Sequence, residues 1–355
     1  MREHLLRSGR RRPFHDVAIA RRAGKFAMAV LGSARAREIC HAEGIPLTRA
    51  QGEGTNAAGG VVVPDEFYAA MEDAREQYGV VRKTAEIVPM GRDTLWIPRK
   101  TGAGFTATFA SENTLFTEST PTADMINLTA KKLLAGGRSS TELADDADLF
   151  GQWVFGELAY VCAKKEDDCG FNGDGTSTYG GMTGLTQKFL DGNHNAGKVT
   201  ATGHGTFATL TNGDLTALMA AVTAAALPGA AWFVSQYGFA TTFCTLAATA
   251  GGIIMDDDDA LPGAMVPTFL GFPVRLVQVL PQVGTSLTGK VMILFGDLSM
   301  AAALGDRRQV TLALSAERFM DTDQIALVGT ERFDINVHDL GDNTNVGPMA
   351  ALVGG

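Results

Sequence analysis

The sequence is poor in cysteine, in long apolar runs and in recognisable catalytic motifs. Its 355 residues include four cysteines, Cys40, Cys162, Cys169 and Cys244, with no C-x-x-C pair, which excludes zinc ribbons and thioredoxin-type redox motifs. Cys162 and Cys169 fall on one expected helix about 10 Å apart, beyond disulfide reach. All four are expected as buried thiols of a protein made in a reducing cytoplasm. No apolar run approaches the roughly 18 residues of a membrane span, which argues against a membrane partner. GK[ST] and G-x-S-x-G are both missing, which removes the P-loop and the nucleophile elbow. Six histidines are scattered, and His194 and His204 have no cysteine or carboxylate at ligand spacing. No catalytic residue, cofactor or metal ligand is therefore expected.

What is present is enough apolar content, 45% of residues, for a core and for two or three domains. The charge is split: residues 1–50 carry 11 Lys or Arg against 4 Asp or Glu, and residues 51–355 carry 19 against 35. A basic arm is thus attached to an acidic body. With the apolar Phe26, Met28, Val30 and Leu31, this predicts an arm that docks on the acidic body of another copy or of a scaffold. Having few aromatics to stack on bases, the arm is not expected to grip nucleic acid.

The chain is organised around residues 139–185. Leu143, Ala147, Phe150, Val154, Leu158 and Val161 recur at spacings of three and four and draw one apolar stripe down a helix. Ser139 and Glu142 read as a capping box at its start. A helix over 140–169 would be about 45 Å long at roughly 1.5 Å per residue, longer than a compact domain needs. It reads as a spine, with Phe150, Val154, Leu158 and Val161 as its core side. The glycines of FNGDGTSTYGG end it, and a phosphate cradle would precede a helix rather than follow one.

A short helix over 64–79 and a strand over 80–90 precede the spine. Residues 91–134 are Thr-rich and alternate in LWI and FTATF, a two-stranded arm with too little apolar surface to fold against its own body. Trp96, Lys100, Phe105, Phe109 and Phe116 on this arm, with Phe26 and Leu31 on the basic one, are the expected contacts to neighbouring subunits. Beyond the spine, residues 187–209 read as a polar connection. Leu215, Leu218, Met219 and Val222 share a helix face with Asn212 as its cap, Trp232 opens a short strand, and residues 236–248 form a second helix. An α/β unit closes with TFLGFPVRLVQVLP and VMILFGDLS, and VTLAL, IALV and ERFDINV alternate as strands returning to the spine.

In order, AGG before VVVP and an acidic helix start, the spine running into FNGDGTSTYGGMTGL, then LGFPV and FGD, resemble the HK97-type major capsid proteins of tailed bacteriophages over roughly residues 50–340. The resemblance implies an α+β HK97-like fold. Residues 1–60 would be an N-terminal arm and linker, 61–90 the first part of a peripheral domain, and 91–134 an extended loop arm. Residues 135–205 would carry the peripheral domain's spine and glycine-rich loop, 206–305 an axial α/β domain, and 306–355 the peripheral return strands and C-terminal tail. It further implies a virion protein, assembled in the host cytoplasm into hexamers and pentamers of an icosahedral head. That head would enclose double-stranded DNA without sequence-specific binding, and scaffold, portal and decoration proteins would be further partners. Some relatives crosslink an arm lysine to a neighbour's asparagine. Lys100 and Asn336, Asn343 or Asn345 would be the counterparts, but nothing singles out a desolvated glutamate, and Lys100 reads more simply as a solvated residue. The alternatives are an encapsulin-like compartment shell and a cytoplasmic α/β enzyme with an unrecognised site.

Overall fold

The computed structural model describes residues 17–31, 34–45, 60–61, 78–100, 107, 109, 120, 123–140, 150–250, 253–257, 265–319 and 324–355. The helix expected over 64–79 lies almost wholly outside them. Helices α1 (Val17–Leu31) and α2 (Ala34–Ala42) come first, then β1 (Gly60–Val61). Residues 80–90, expected as one strand, are instead a helical turn, α3 (Val81–Thr84), followed by β2 (Glu86–Pro89). The turn forms because the Asp167 carboxylate, from the distant spine, accepts the N–H groups of Val80 at 2.9 Å and Val81 at 2.8 Å, satisfying donors that a helix start leaves open. Strands β3 (Thr94–Lys100) and β4 (Ala123–Thr129) form the two-stranded arm, and β5 (Lys131–Ser140) follows.

The spine, α4 (Phe150–Asn172), has 23 residues, about 35 Å at 1.5 Å per residue. Ser139, expected as the cap of the spine, is instead in a strand: Ser139 and Ser140 are the last residues of β5, paired with Ile325 and Gln324, and residues 141–149 lie outside the described residues. A capping box contributes on the order of 1 kcal/mol, and a ten-residue ladder outweighs it. Along α4 the buried stripe runs through Val154, Leu158, Cys162 and Ala163, while Val161 is 41% exposed. At 3.6 residues per turn the position after Leu158 on this face is 162, so Val161 is displaced from the core assigned to it. The Phe150 side chain lies outside the described residues.

Helix α5 (Leu185–Leu190) and β6 (Lys198–Ala201) occupy the stretch expected as a connection. Helix α6 (Asn212–Ala220) is capped one residue earlier than expected, by Thr211 in a capping box with Asp214. After β7 (Ala231–Val234), α7 runs through Gln236–Gly238, a π turn Phe239–Phe243 and Cys244–Ala250. There follow β8 (Ile253–Asp257), β9 (Met265–Phe269), β10 (Phe272–Leu276), β11 (Val291–Gly296) and α8 (Leu298–Ala301). The last strands are β12 (Ala302–Phe319), β13 (Gln324–Val337) and β14 (Met349–Gly354).

Two sheets result. One has the order β1-β12-β13-β5 with β2 parallel to β12, and the other the order β6-β14-β11-β7-β10-β9-β8. The C-terminal strand departs from the boundary expected for 306–355: β14 lies inside the second sheet, between β6 and β11. Its sequence, MAALVG, has no polar alternation and all six residues are buried, as suits a central strand covered on both faces. Met349, Ala351 and Val353 pack with Phe171 and Phe189 on one side, and Ala350 and Leu352 with Trp232 and Phe243 on the other. The first of these clusters also takes in Leu304, Phe333 and Ile335, so one apolar core joins both sheets to the C-terminal half of the spine.

Helix α1 lies along α4 and buries Ala23, Phe26, Met28 and Ala29. Phe26, expected at a neighbour, is fully buried in its own subunit, because the spine offers an apolar partner within the same chain. An ion pair of Lys25 with Glu43, and a 3.1 Å bond from Arg37 Nε to the Ala29 carbonyl, tie α1 to α2. The Leu31 side chain lies outside the described residues. Cys40, Cys162 and Cys169 are buried thiols, whereas Cys244 is exposed.

Candidate assembly surfaces

The arm has two unlike faces because a strand alternates its side chains. In the β3–β4 ladder Trp96 faces Asn127 and Pro98 faces Met125, whereas Leu95 faces Leu128 and Ile97 faces Ile126. Leu128 and Ile126 are buried, and Leu95, Ile97 and Val88 pack against Met90, Leu128, Ala130 and Ala303. The base of the arm therefore does fold against its own body, contrary to the expectation from its thin composition. The other face points outward, with Trp96 59% and Met125 57% exposed and Pro98 beside them. Covering an exposed tryptophan of this kind is worth on the order of 3 kcal/mol. Phe109 is fully exposed. Lys100 pairs with Ala123 at the end of the described ladder; its side chain, Phe105 and Phe116 lie outside the described residues.

A second group of residues escaped sequence reading. The Arg82 guanidinium is buried and forks onto Glu166, at 2.7 and 3.2 Å, reaching Asp306 at 2.9 Å and Glu331 at 3.3 Å. This clasp joins α3, the spine, β12 and β13. Beside it burial pushes the Asp167 carboxyl up to about 7, against the pull of its two backbone donors. Gly170 permits the close approach, since a Cβ there would meet Val81 Cγ2 at 2.8 Å. The run Glu166-Asp167-Asp168, three successive acids that must reach both faces of the spine, was the one available signal.

Around the second sheet, Tyr237, Leu270, Leu276 and Val283 are exposed apolar residues. Leu270 tips the β9–β10 hairpin at φ 51°, a conformation glycine or asparagine adopts more readily. In the glycine-rich loop, Asp174 accepts from the Thr176 N–H and hydroxyl, and Gly184 N–H donates to the Gly173 carbonyl. Its polar groups are thus engaged in holding the turn. His194 and His204 do have carboxylate neighbours, Asp191 at 3.1 Å and Asp214 at 2.8 Å, brought close by turn geometry rather than ligand spacing. Among the described residues no group of three or more His, Cys, Asp or Glu is arranged to hold a metal ion, and no helix is long and apolar enough to cross a membrane.

A tile built on a spine, a second sheet clustered on it and an arm with one uncovered apolar face define a shell-building structural protein with the HK97-type fold. The chain belongs to the phage capsid family, whose model matches residues 59–340. In structure it is similar to the capsid of an empty GTA particle, with 17% identity, 88% of this chain and 97% of that chain covered and a TM-score of 0.56. It is similar also to a structure of Gordonia phage Cozz, with 14% identity, 92% and 95% covered and a TM-score of 0.52. The holo-SrpI encapsulin complex of Synechococcus elongatus shares the fold at 11% identity, with 88% and 94% covered and a TM-score of 0.52. No curated protein matches the chain in sequence. The protein is a structural component of the virion capsid that associates with copies of itself.

Proposed function

We propose that copies of this chain form the hexamers and pentamers of an icosahedral phage head that is assembled in the host cytoplasm and encloses double-stranded DNA. The observation that carries the reading is the outward face of the arm. Among the described residues nothing covers Trp96, Pro98 and Met125, and the opposite face of the same ribbon is already docked on the subunit. A second copy is the occupant that family membership supplies. Residues 206–305, with the C-terminal strand added, act as the axial domain, and the first sheet with the spine as the peripheral one. The acidic body limits adhesion to the packaged genome, so no sequence-specific contact to DNA is part of the reading. Scaffold, portal and decoration proteins are its further partners.

Electron microscopy of the expressed protein tests this: closed shells are expected from the wild type. Trp96→Ser should leave a soluble, folded subunit that assembles at least about tenfold more slowly. Normal shells from Trp96→Ser would remove the arm face from the interface. The likeness to an encapsulin favours a second reading, a compartment with protein cargo. Nuclease-protected DNA in purified particles supports the head; co-purified protein cargo without DNA supports the compartment.

A further inference from the structure

The strand ERFDINVH, residues 331–338, alternates so that Phe333, Ile335 and Val337 enter the core. The residues between them face the arm. Arg332 Nη1 donates to Asp93 Oδ1 at 3.0 Å, where Arg307 also reaches. Asp334 Oδ2 accepts from the Thr129 N–H at 2.6 Å, and Asn336 Nδ2 donates to the Asn127 carbonyl at 3.1 Å. The His338 carbonyl accepts from Arg99 Nη1. Read from 332 to 338, the partners thus advance from the root of the arm at Asp93 toward its outer part at Arg99.

The two middle partners are main-chain groups on the edge of β4 that β3 leaves open. A two-stranded ribbon exposes such groups, and ordinarily a third strand would take them. Here side chains take them instead. The match is metric as well as chemical, since alternate side chains on β13 and alternate open groups on β4 both repeat at about 7 Å. A slip of one repeat would separate Arg332 from Asp93 and Arg99 from the His338 carbonyl, so the contacts define a single register. The apolar contact of Leu128 with Met90 and Ala303 alongside is less directional and would tolerate such a slip.

We propose that this polar face of β13 is a positioning rail. Arg332 anchors the root of the arm, and Asp334 and Asn336 set its register and its angle of departure from the subunit. The rail thereby sets the geometry with which Trp96 meets a neighbouring copy. Over the seven residues of β3, a 10° change at the root moves the far end by about 4 Å, more than a hydrogen bond tolerates. The proposal rests on the shell reading for its consequence in assembly, but the docking of the arm is a property of the single subunit.

Two measurements test it. In the unassembled full-length subunit, Asp334→Leu should speed hydrogen exchange of the Thr129 amide about tenfold with the fold retained. Asp334→Asn, which keeps an acceptor at that position, should restore slow exchange, a rescue that a merely space-filling role would not show. Under assembly conditions the Asp334→Leu/Asn336→Leu double variant should give particles of broadened diameter by electron microscopy. Should Asp334→Leu fail to fold, Asp334→Ala, which withdraws the acceptor without adding an apolar branch, carries the exchange measurement, and Asn336→Leu alone carries the particle measurement. Unchanged Thr129 exchange, or uniform wild-type shells from the double variant, would overturn the rail. A wild-type chain that forms no shells overturns the shell reading instead, and the exchange comparison still decides whether the rail holds the arm.

Discussion

Asp167 is the residue whose protonation matters most for the subunit. Its folded-state value of about 7 lies above the ordinary 3.8, so between about pH 4 and 7 the folded chain holds a proton that the unfolded chain has lost. Its contribution to stability is therefore most favourable at low pH, declines as pH rises through that window and is flat above it. Asp167→Asn keeps an acceptor for the Val80 and Val81 N–H groups and should abolish the decline. The wild type should lose stability relative to this variant by up to about 4 kcal/mol between pH 4 and 7, measured by urea melts across the range. Next to it, Arg82→Leu removes the guanidinium from among Glu166, Asp306 and Glu331. A loss of about 3–5 kcal/mol in the same melts is expected, since Glu166 and Glu331 would stay buried with this positive charge withdrawn. Neither residue stood out in the sequence. Arg82 reads there as an ordinary basic residue in a strand, and its acids are 84 to 249 positions away.

Among the elements, the spine separates what a periodic pattern can and cannot tell. Val154 and Leu158 are buried as their spacing predicts, while Val161, equally apolar, faces outward. Leu158 packs so closely on β13 that a Cβ at Gly329 would lie 2.5 Å from its Cδ1. Leu158→Ala should cost about 2–5 kcal/mol in the isolated subunit, and Val161→Ala under about 0.5 kcal/mol. Denaturant melts of the two variants side by side check this; equal losses would mean that Val161 belongs to the core after all. In the N-terminal helices Phe26 departs from its expected place at a neighbour. Because α1 buries Phe26 against its own spine, Phe26→Ala should lower subunit stability by about 3–5 kcal/mol, seen as a lower thermal midpoint before any assembly.

For the whole molecule, one apolar cluster spans both sheets and the end of the spine, so the two halves are expected to unfold together. A single calorimetric transition in the unassembled subunit checks that, and two separated transitions would show that the halves are independent. The spine, the alternating arm, the glycine-rich stop and the succession of α6, β7 and α7 were legible in the chain because each rests on a pattern within a few residues. The tertiary structure alone decided that β5 takes in Ser139 and Ser140, that Asp167 converts the start of a strand into a helical turn, and that the last six residues of regular structure enter the second sheet rather than the first. It also decided that every second residue of ERFDINVH meets the arm. Each of these depends on partners far apart in the chain, and a single sequence carries the chemistry of both partners without saying that they meet.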